Sequence, residues 1–461
     1  MNDRRITRTA KVLLVLLNVG LFAWVWVGYY NGQAYRTHIL RGNISSVIIF
    51  YVLYAWLSKL YRAYAIASST VEETVLSQTI SFGIADLILY FMAVLLHRDY
   101  VNLLPGIATV LGQLVGSTLI IWLSKRYMLT HIQPSGTLLI CGPGVTDEQI
   151  GRFKAQIDAK LAHLFRLDFI LHEDRIDEIE SKLSKAELVM LMGVSGACRE
   201  RITTRCLALQ KVFYFVPEFW DIICRGCSVK NFLDTPLLRY DYNYNRQRSH
   251  FVKRMCDIVF SALLLVLLSP LFLISAVAIK LEDGGPVFFR QERVTRDGKV
   301  FPIVKFRSMV VDAERYGALP ATQNDPRITK VGALLRRYRI DEFPQLINIL
   351  LGQMSFVGPR PERTLHEMIY EKQLPEFKYR LRVKGGLTGY AQVYGKYNTT
   401  PEDKLKLDML YIENQSLVLD FKLILLTIKI MFKPEATEGF DQTRSEAINR
   451  QDRTRQGDAQ P

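Results

Sequence analysis

The stretch Ile258-Val-Phe-Ser-Ala-Leu-Leu-Leu-Val-Leu-Leu-Ser269-Pro270-Leu-Phe-Leu-Ile-Ser-Ala-Val-Ala-Ile-Lys280-Leu281, led in by Lys253-Arg254-Met-Cys-Asp257, decides the architecture. By length it is a transmembrane helix, since about 20 apolar residues cross a bilayer core. Two features argue against a straight span. Ser269-Pro270 stands at its centre, where proline removes a backbone hydrogen bond and clashes with the preceding turn. Bases also flank both ends, Lys253 and Arg254 before it, Lys280 and Arg290 after it. The reading is a re-entrant helical hairpin over 257–281, entering and leaving on one face and broken at Ser269 and Pro270. Its freed backbone groups must then be satisfied inside the protein. A Pro-kinked full span is the alternative.

Upstream, four more apolar runs crowd the first third of the chain: Val12 to Tyr30, Ile44 to Leu57, Thr79 to Leu96 and Leu103 to Leu123. They predict a four-helix transmembrane bundle over 1–127. The second run is short and needs Ile39 and Leu40 to span. The third carries Asp86 at mid-run, which should face the bundle interior. A cleaved signal peptide at the first run is disfavoured, because the run is long and no small-residue cleavage site follows. Arg4, Arg5, Arg8 and Lys11, Lys59 and Arg62, and Lys125 and Arg126 outnumber Arg36, Arg41 and Arg98 on the opposite loops. By the positive-inside rule, the N-terminus and everything after Lys125 are cytoplasmic.

The 461 residues fit roughly three domain-sized units. Lys and Arg number 59 against 45 Asp and Glu, a net charge of +14. That surplus suits anionic membrane lipids as partners; no RNA platform, zinc finger or basic zipper accompanies it, so nucleic acid is excluded. Six cysteines in so long a chain exclude a disulfide scaffold. Seven scattered histidines, with none at i, i+4, exclude a zinc site of that type.

Residues 135–240 read as a Rossmann-like α/β domain. Strands are expected at 137–141, 167–171, 187–192 and 212–216, with helices at 147–164 and 176–184. Gly142-Pro-Gly144 begins a phosphate-binding fingerprint, yet Asp147 stands where a third glycine belongs and would repel a pyrophosphate. A structural role is therefore the better reading, with a ligand sensor as the alternative. Cys224-Arg-Gly-Cys227 has redox spacing without a thioredoxin-like setting, so two packing or exposed thiols are expected. Towards the C-terminus, Leu417 to Phe432 is too short to span and is broken by Asp420, Lys422 and Lys429, which predicts an interfacial helix over 417–432. Residues 436–461 are polar, lack a hydrophobic core and are expected to be disordered.

The remaining block carries dense polar motifs: Phe288-Phe-Arg-Gln-Glu-Arg293, Lys305-Phe-Arg307-Ser-Met309, Arg336-Arg-Tyr-Arg-Ile-Asp341-Glu342-Phe-Pro344-Gln345, Val357-Gly-Pro-Arg360-Pro361 and Lys384-Gly-Gly-Leu-Thr388-Gly389. Arginine binds phosphate oxygens in a bidentate fork. Two adjacent carboxylates among such bases suit a magnesium ion plus a nucleophile or base. A solvated surface of ion pairs, or arginines holding lipid, would have the same composition, and the residues alone leave both open.

The ordered set Lys-Arg-x-x-Asp, apolar hairpin with Ser-Pro, Lys-Phe-Arg-Ser-Met, Asp-Glu-x-Pro-Gln, Gly-Pro-Arg-Pro and Lys-x-Gly-x-Thr-Gly resembles the bacterial sugar transferase family over about 250–435. These are monotopic polyprenyl-phosphate phosphoglycosyl transferases. The bundle and the middle domain resemble the long members by architecture alone. The resemblance implies an α/β-type catalytic domain at 250–435 that moves hexose-1-phosphate from a UDP-sugar, UDP-glucose or UDP-galactose first, to undecaprenyl phosphate. UMP would be released and exopolysaccharide, capsule or O-antigen synthesis begun. It implies Asp341 as nucleophile, forming an aspartyl-phosphosugar, and Glu342 as the ligand of Mg2+. Arg336, Arg360, Lys305 and Arg307 are implied as phosphate contacts, and Asp408 as an assisting acid. Nucleotide sugars are cytoplasmic, which favours the hairpin over a fifth crossing and places the enzyme at a bacterial inner membrane. A homodimer is left open. A non-catalytic scaffold of polysaccharide assembly is the alternative, opposed by the intact Asp341-Glu342 pair. A nucleotide-sugar dehydratase is opposed by the lack of any Tyr-x-x-x-Lys pair.

Overall fold

The structure, a computed structural model, describes residues 2–31, 40–97, 101–232, 234–241, 244–311, 313, 325–395 and 400–431. The tail at 436–461 and the loop bases Arg36 and Arg98 lie outside the described residues. The chain divides into two compact units, 1–216 and 217–461.

Unit 1 begins with α1 (Asn2–Val25, continued by a π-helical turn Trp26–Tyr30), α2 (Leu40–Leu60), α3 (Val71–His97) and α4 (Leu104–His131). All four are long and apolar enough to cross a membrane. The short second run gains its length by starting at Leu40, as it must to span. The bundle is built with its apolar side out: Leu16, Trp24, Leu95 and Val115 are exposed while Asn18, Gln78, Gln113 and Ser117 are buried. Polar groups cut off from water must pair with one another. Asn18 Nδ2 donates to Tyr54 Oη and Ser117 Oγ, both at 3.1 Å, and Tyr54 Oη donates to Gln78 Oε1 at 2.7 Å. Asp86 is half-buried, with its Oδ2 shut off from solvent.

A parallel sheet follows in the same unit. Its strands are β1 (Ser135–Cys141), β2 (Phe165–His172), β3 (Leu188–Met192) and β4 (Val212–Phe215), ordered β2-β1-β3-β4. The strands and the helices α5 (Asp147–Lys160) and α6 (Ile176–Leu183) fall where the apolar pattern put them, with α7 (Gly196–Ala208) added before β4. Period-2 alternation divides the core. Leu138, Ile140, Val189 and Leu191 meet α6 and α7 on one face, while Leu139, Cys141, Leu188 and Met190 meet α5 on the other. Asp147 and Glu148 lie in the first turn of α5, behind a capping box made by Thr146 and Gln149. Carboxylates there already complement the helix dipole.

Unit 2 holds α8 (Phe219–Arg225), the hairpin β5 (Ser228–Phe232) and β6 (Thr235–Arg239), α9 (Tyr244–Leu267), α10 (Ser269–Asp283), and the antiparallel pair β7 (Phe288–Val294) and β8 (Val300–Phe306). It continues with α11 (Lys330–Arg337), α12 (Gln345–Leu350), β9 (Ser355–Val357), α13 (Thr364–Gln373), β10 (Gly386–Thr388), α14 (Tyr390–Tyr394), α15 (Pro401–Glu413) and α16 (Leu417–Met431). The hairpin at 228–239, which the sequence boundary at 240 groups with the middle domain, belongs to this second unit. One core gathers Phe301, Ile303, Leu346, Ile349, Met354, Phe356, Phe377, Met409, Tyr411 and Leu423.

Helices α9 and α10 meet at 60° around Leu268. Proline at 270 cannot donate to the carbonyl four residues back, that of Val266, and Ser269 Oγ donates to that carbonyl at 2.8 Å instead. The Ser-Pro pair thus breaks the helix and repairs the acceptor it orphans. Outward faces of both helices are apolar and exposed, as at Val259, Leu263, Val266, Leu273 and Ile274. Their far ends are fastened to the same unit by polar groups. Lys253 pairs with Asp420 of α16. Arg254 donates to the carbonyls of Ile349 (2.6 Å) and Leu350 (2.7 Å). Asp257 accepts from Ser355 Oγ and Phe356 N. At the other end Asp283 pairs with Arg307, and Glu282 accepts from the Val331 amide. On α16, Asp420, Leu423 and Leu426 are buried.

Candidate active site

The carboxylate pair sits where a helix is prevented from continuing. After α11, Arg339 takes a left-handed conformation (φ 58°), and Ile340–Glu342 form a single 3-10 turn before α12. That turn buries both Asp341 and Glu342, each 8% exposed. The turn is held against β8 by Asn348 of α12, whose Oδ1 accepts from Val304 N at 3.0 Å and whose Nδ2 donates to Pro302 O at 2.8 Å. Lys305, one residue further along β8, is thereby brought to the dyad.

The two carboxylates have opposite surroundings. Glu342 Oε1 accepts from Lys305 Nζ at 2.9 Å and from Arg360 Nη2 at 2.8 Å. Asp341 has no hydrogen-bond or ion-pair partner among the described residues. Burial and the Glu342 charge push Asp341 above the usual carboxylate range, against the pull of Lys305, Arg336 and Arg339. Burial also acts on Glu342, but Arg360 and Lys305 outweigh it and hold that carboxyl well below its ordinary value. Burial lowers Lys305, with Glu342 opposing. One acid is pinned and anionic; the other is free.

Arg360 is placed by close backbone packing. Added as a Cβ, a methyl on Gly358 would come 2.2 Å from Lys384 O, and one on Gly386 would come 2.1 Å from Gly358 N. Only glycine permits this approach of β9 to β10. The loop Gly358-Pro-Arg360-Pro361 is further gripped by Arg380, whose Nη2 donates to Arg360 O at 2.7 Å. Arg380 is wholly buried and also reaches Asp408 Oδ2 (3.0 Å) and Glu367 Oε2 (3.2 Å). Glu362, at 4.0 Å from Arg380, pairs with Lys404. Burial works against Glu362, yet Lys404 and Arg380 hold it at about 2.

Lys305 and Arg360 therefore touch the dyad directly, and Arg336 faces Asp341 electrostatically without a hydrogen bond. Arg307 lies against Asp283 at the end of α10. Asp408 is inside the Arg380 cluster and 1% exposed, with its Oδ1 unpartnered among the described residues. Ser269 and Pro270 form the break between α9 and α10. Arg293 went unassigned in the sequence although its motif stood out. It donates to Pro361 O at 3.1 Å, and burial together with Arg360 lowers it to about 10. Its neighbours include the Glu342 and Glu362 carboxylates.

Among the described residues no three His, Cys, Asp or Glu side chains converge on a metal position. Magnesium needs no such cage, because one or two carboxylates plus substrate phosphates complete its shell. Asp341 and Glu342 meet that requirement. A free carboxylate beside a pinned one, ringed by Lys305, Arg336, Arg339 and Arg360, has the charge distribution suited to displacement at phosphorus. The carboxylate pair lies in the same folded unit as the apolar, bent helices α9 and α10.

Comparison with known proteins gives the family. The bacterial sugar transferase profile matches residues 248–434. A UDP-glucose:undecaprenyl-phosphate glucose-1-phosphate transferase of Caulobacter vibrioides is 42% identical over 181 residues, 38% of this chain and 68% of that protein. A protein of the same description from Klebsiella pneumoniae is 44% identical over 181 residues, 38% of this chain and 39% of that protein. A UDP-N-acetylgalactosamine-undecaprenyl-phosphate N-acetylgalactosaminephosphotransferase of Aeromonas hydrophila is 43% identical over 182 residues, 39% of this chain and 43% of that protein. The match thus spans less than half the length of the latter two. The chain belongs to the bacterial sugar transferase family.

Proposed function

We propose that this chain transfers hexose-1-phosphate from a UDP-sugar to undecaprenyl phosphate through a covalent intermediate on Asp341, initiating a surface or secreted polysaccharide. The observation that carries this reading is the unequal dyad, with Asp341 unpartnered among the described residues while Glu342 is held by Lys305 and Arg360. The Asp341 carboxylate attacks the phosphorus that bears the sugar. The bond to the bridging oxygen breaks, and UMP leaves with that oxygen. A phosphate oxygen of undecaprenyl phosphate then attacks the same phosphorus, which forms undecaprenyl-diphosphate-sugar and returns the carboxylate. Arg336 and Arg360 lower the cost of bringing an anion to a diphosphate, with Arg293 behind Arg360. Magnesium bound at Glu342 would add charge neutralisation. Glucose is the first sugar to try, given the descriptions of the Klebsiella and Caulobacter relatives. UMP release by purified protein, scored over a panel of UDP-sugars with and without polyprenyl phosphate, tests the reaction and reads the sugar. No UMP with any donor would leave the scaffold reading standing.

The bent pair is read as re-entrant, seated in one leaflet at the cytoplasmic face. What supports this is that the polar groups at both its ends bond within the same folded unit. A crossing would part those ends by the hydrocarbon core, about 30 Å. Pro270→Ala restores the missing donor and should let α9 run into α10; a loss of at least about tenfold in transfer is expected, in line with a kink worth ~3 kcal/mol. Full activity with unchanged sidedness, read by labelling of single cysteines, would count against the hairpin.

Acidity gives another expectation. Only ionised Asp341 attacks, so the rate should rise with pH through its elevated value, giving an acid limb above the ~3.9 of an ordinary aspartate. Arg336→Gln removes a charge that favours the anion and should move the limb to higher pH. A pH profile of UMP release in which the limb stays in place, or moves down, contradicts this assignment.

A further inference from the structure

Two motifs that the reaction does not use, Lys253-Arg254 and Lys384-Gly-Gly, converge at the end of α12 remote from the dyad. Gly352 there has φ +82°, and a Cβ placed on it would come 3.1 Å from Arg254 Nη2 and 3.5 Å from Lys384 Nζ. The loops around it are stitched together by the buried Thr295 hydroxyl, which donates to Gln353 O at 3.1 Å and accepts from Gly385 N at 3.0 Å. This brings the 296–298 turn, carrying Arg296, beside the 384–385 turn. Lys384 is half-buried and has no hydrogen-bond or ion-pair partner among the described residues. The charges that act on it most are Arg254, Arg296, Asp257 and Lys253. Asp257 is already engaged by Ser355 and Phe356, and Lys253 is engaged by Asp420. Arg296 pairs with Asp297 at 3.2 Å. Arg254 keeps the Ile349 and Leu350 carbonyls as its acceptors, so what results is a partly desolvated cationic hollow in which Lys384 is the cation left without a partner among the described residues.

We propose that Arg254, Arg296 and Lys384 hold the phosphate of an anionic membrane phospholipid. Position argues for a lipid source over free phosphate. Arg254 is on α9 between Phe251, Val252 and Met255, all exposed and apolar, so the hollow lies at the rim of the surface read above as membrane-seated. The inference rests on that seating. It is distinct from the acceptor's reacting phosphate, because the six residues of α12 put roughly 9 Å between this end and the dyad turn.

The test uses the full chain in nanodiscs of phosphatidylcholine, with or without phosphatidylglycerol, and an amine-acylating reagent quantified at Lys384 by mass spectrometry. About 1 kcal/mol per basic residue near an anionic surface corresponds to roughly fivefold protection by phosphatidylglycerol. Inorganic phosphate added to phosphatidylcholine discs should give none, and Arg296→Gln should weaken the lipid's protection. Equal labelling in both discs overturns the lipid site while leaving the seating intact. Protection by inorganic phosphate alone overturns the lipid assignment. A chain that enters neither disc overturns the seating and this site together, and UMP release from the same samples reports separately on the transferase reading.

Discussion

Asp341→Asn is expected to abolish UMP release and to leave no phosphosugar on the protein after a quenched reaction with donor alone. An amide is not a competent nucleophile at phosphorus, and removing a covalent nucleophile costs on the order of 10⁴-fold or more in rate. The side chain makes no hydrogen bond among the described residues, so the isosteric exchange should leave the fold and membrane fractionation unchanged. Intact-mass analysis of wild type quenched without acceptor should show the added hexose phosphate on the peptide containing Asp341. An adduct on another residue, or turnover by the variant near wild-type rate, would sink the assignment. Glu342→Gln should behave differently. It frees Lys305 and Arg360, so it should impair donor binding as well as the chemical step.

The second large effect is structural. Arg380→Met should destabilise unit 2 by about 3–5 kcal/mol, the cost of leaving buried acids without their cation. Arg380 is 1% exposed, and its guanidinium serves Asp408, Glu367 and the Arg360 carbonyl at once. Arg380→Lys should fare little better, because a point charge cannot reach three acceptors in a fork. Thermal unfolding in detergent would read this, and a variant melting within a degree or two of wild type would contradict it. Glu362 adds an acid dependence. Its folded value, about 2, lies below the ordinary value for glutamate, so its contribution is full above ~4.3 and is lost as pH falls towards 2.

What the residues disclosed in advance followed from periodicity and motif. Apolar runs marked the four membrane-length helices. Short apolar runs between helical segments marked β1 to β4, and proline marked the break at Leu268. The adjacent acids with Lys305 and Arg360 stood out by their order along the chain. Arg380 could not, because Phe377-Lys-Tyr-Arg380-Leu-Arg382 reads like any exposed basic turn; its burial arises only when α13 and α15 bring Glu367 and Asp408 around it. Arg307 shares a motif with Lys305 but lies past the strand end, where Asp283 takes it. Lys253, Arg254 and Asp257 read as charged flanks of an apolar segment. Folded, they bond inward to α16, α12 and β9. Pairing across more than 90 residues of chain leaves no local trace.

Because α9 and α10 each end in bonds to one folded body, the bend at Leu268 is the tip of a wedge clamped along both rims. Such a wedge cannot slide in or out on its own. If that tip is seated in a hydrocarbon sheet as proposed, the Asp341 carboxylate rides at a constant height above it, and a long-chain reactant would have to present its head at that height to be used.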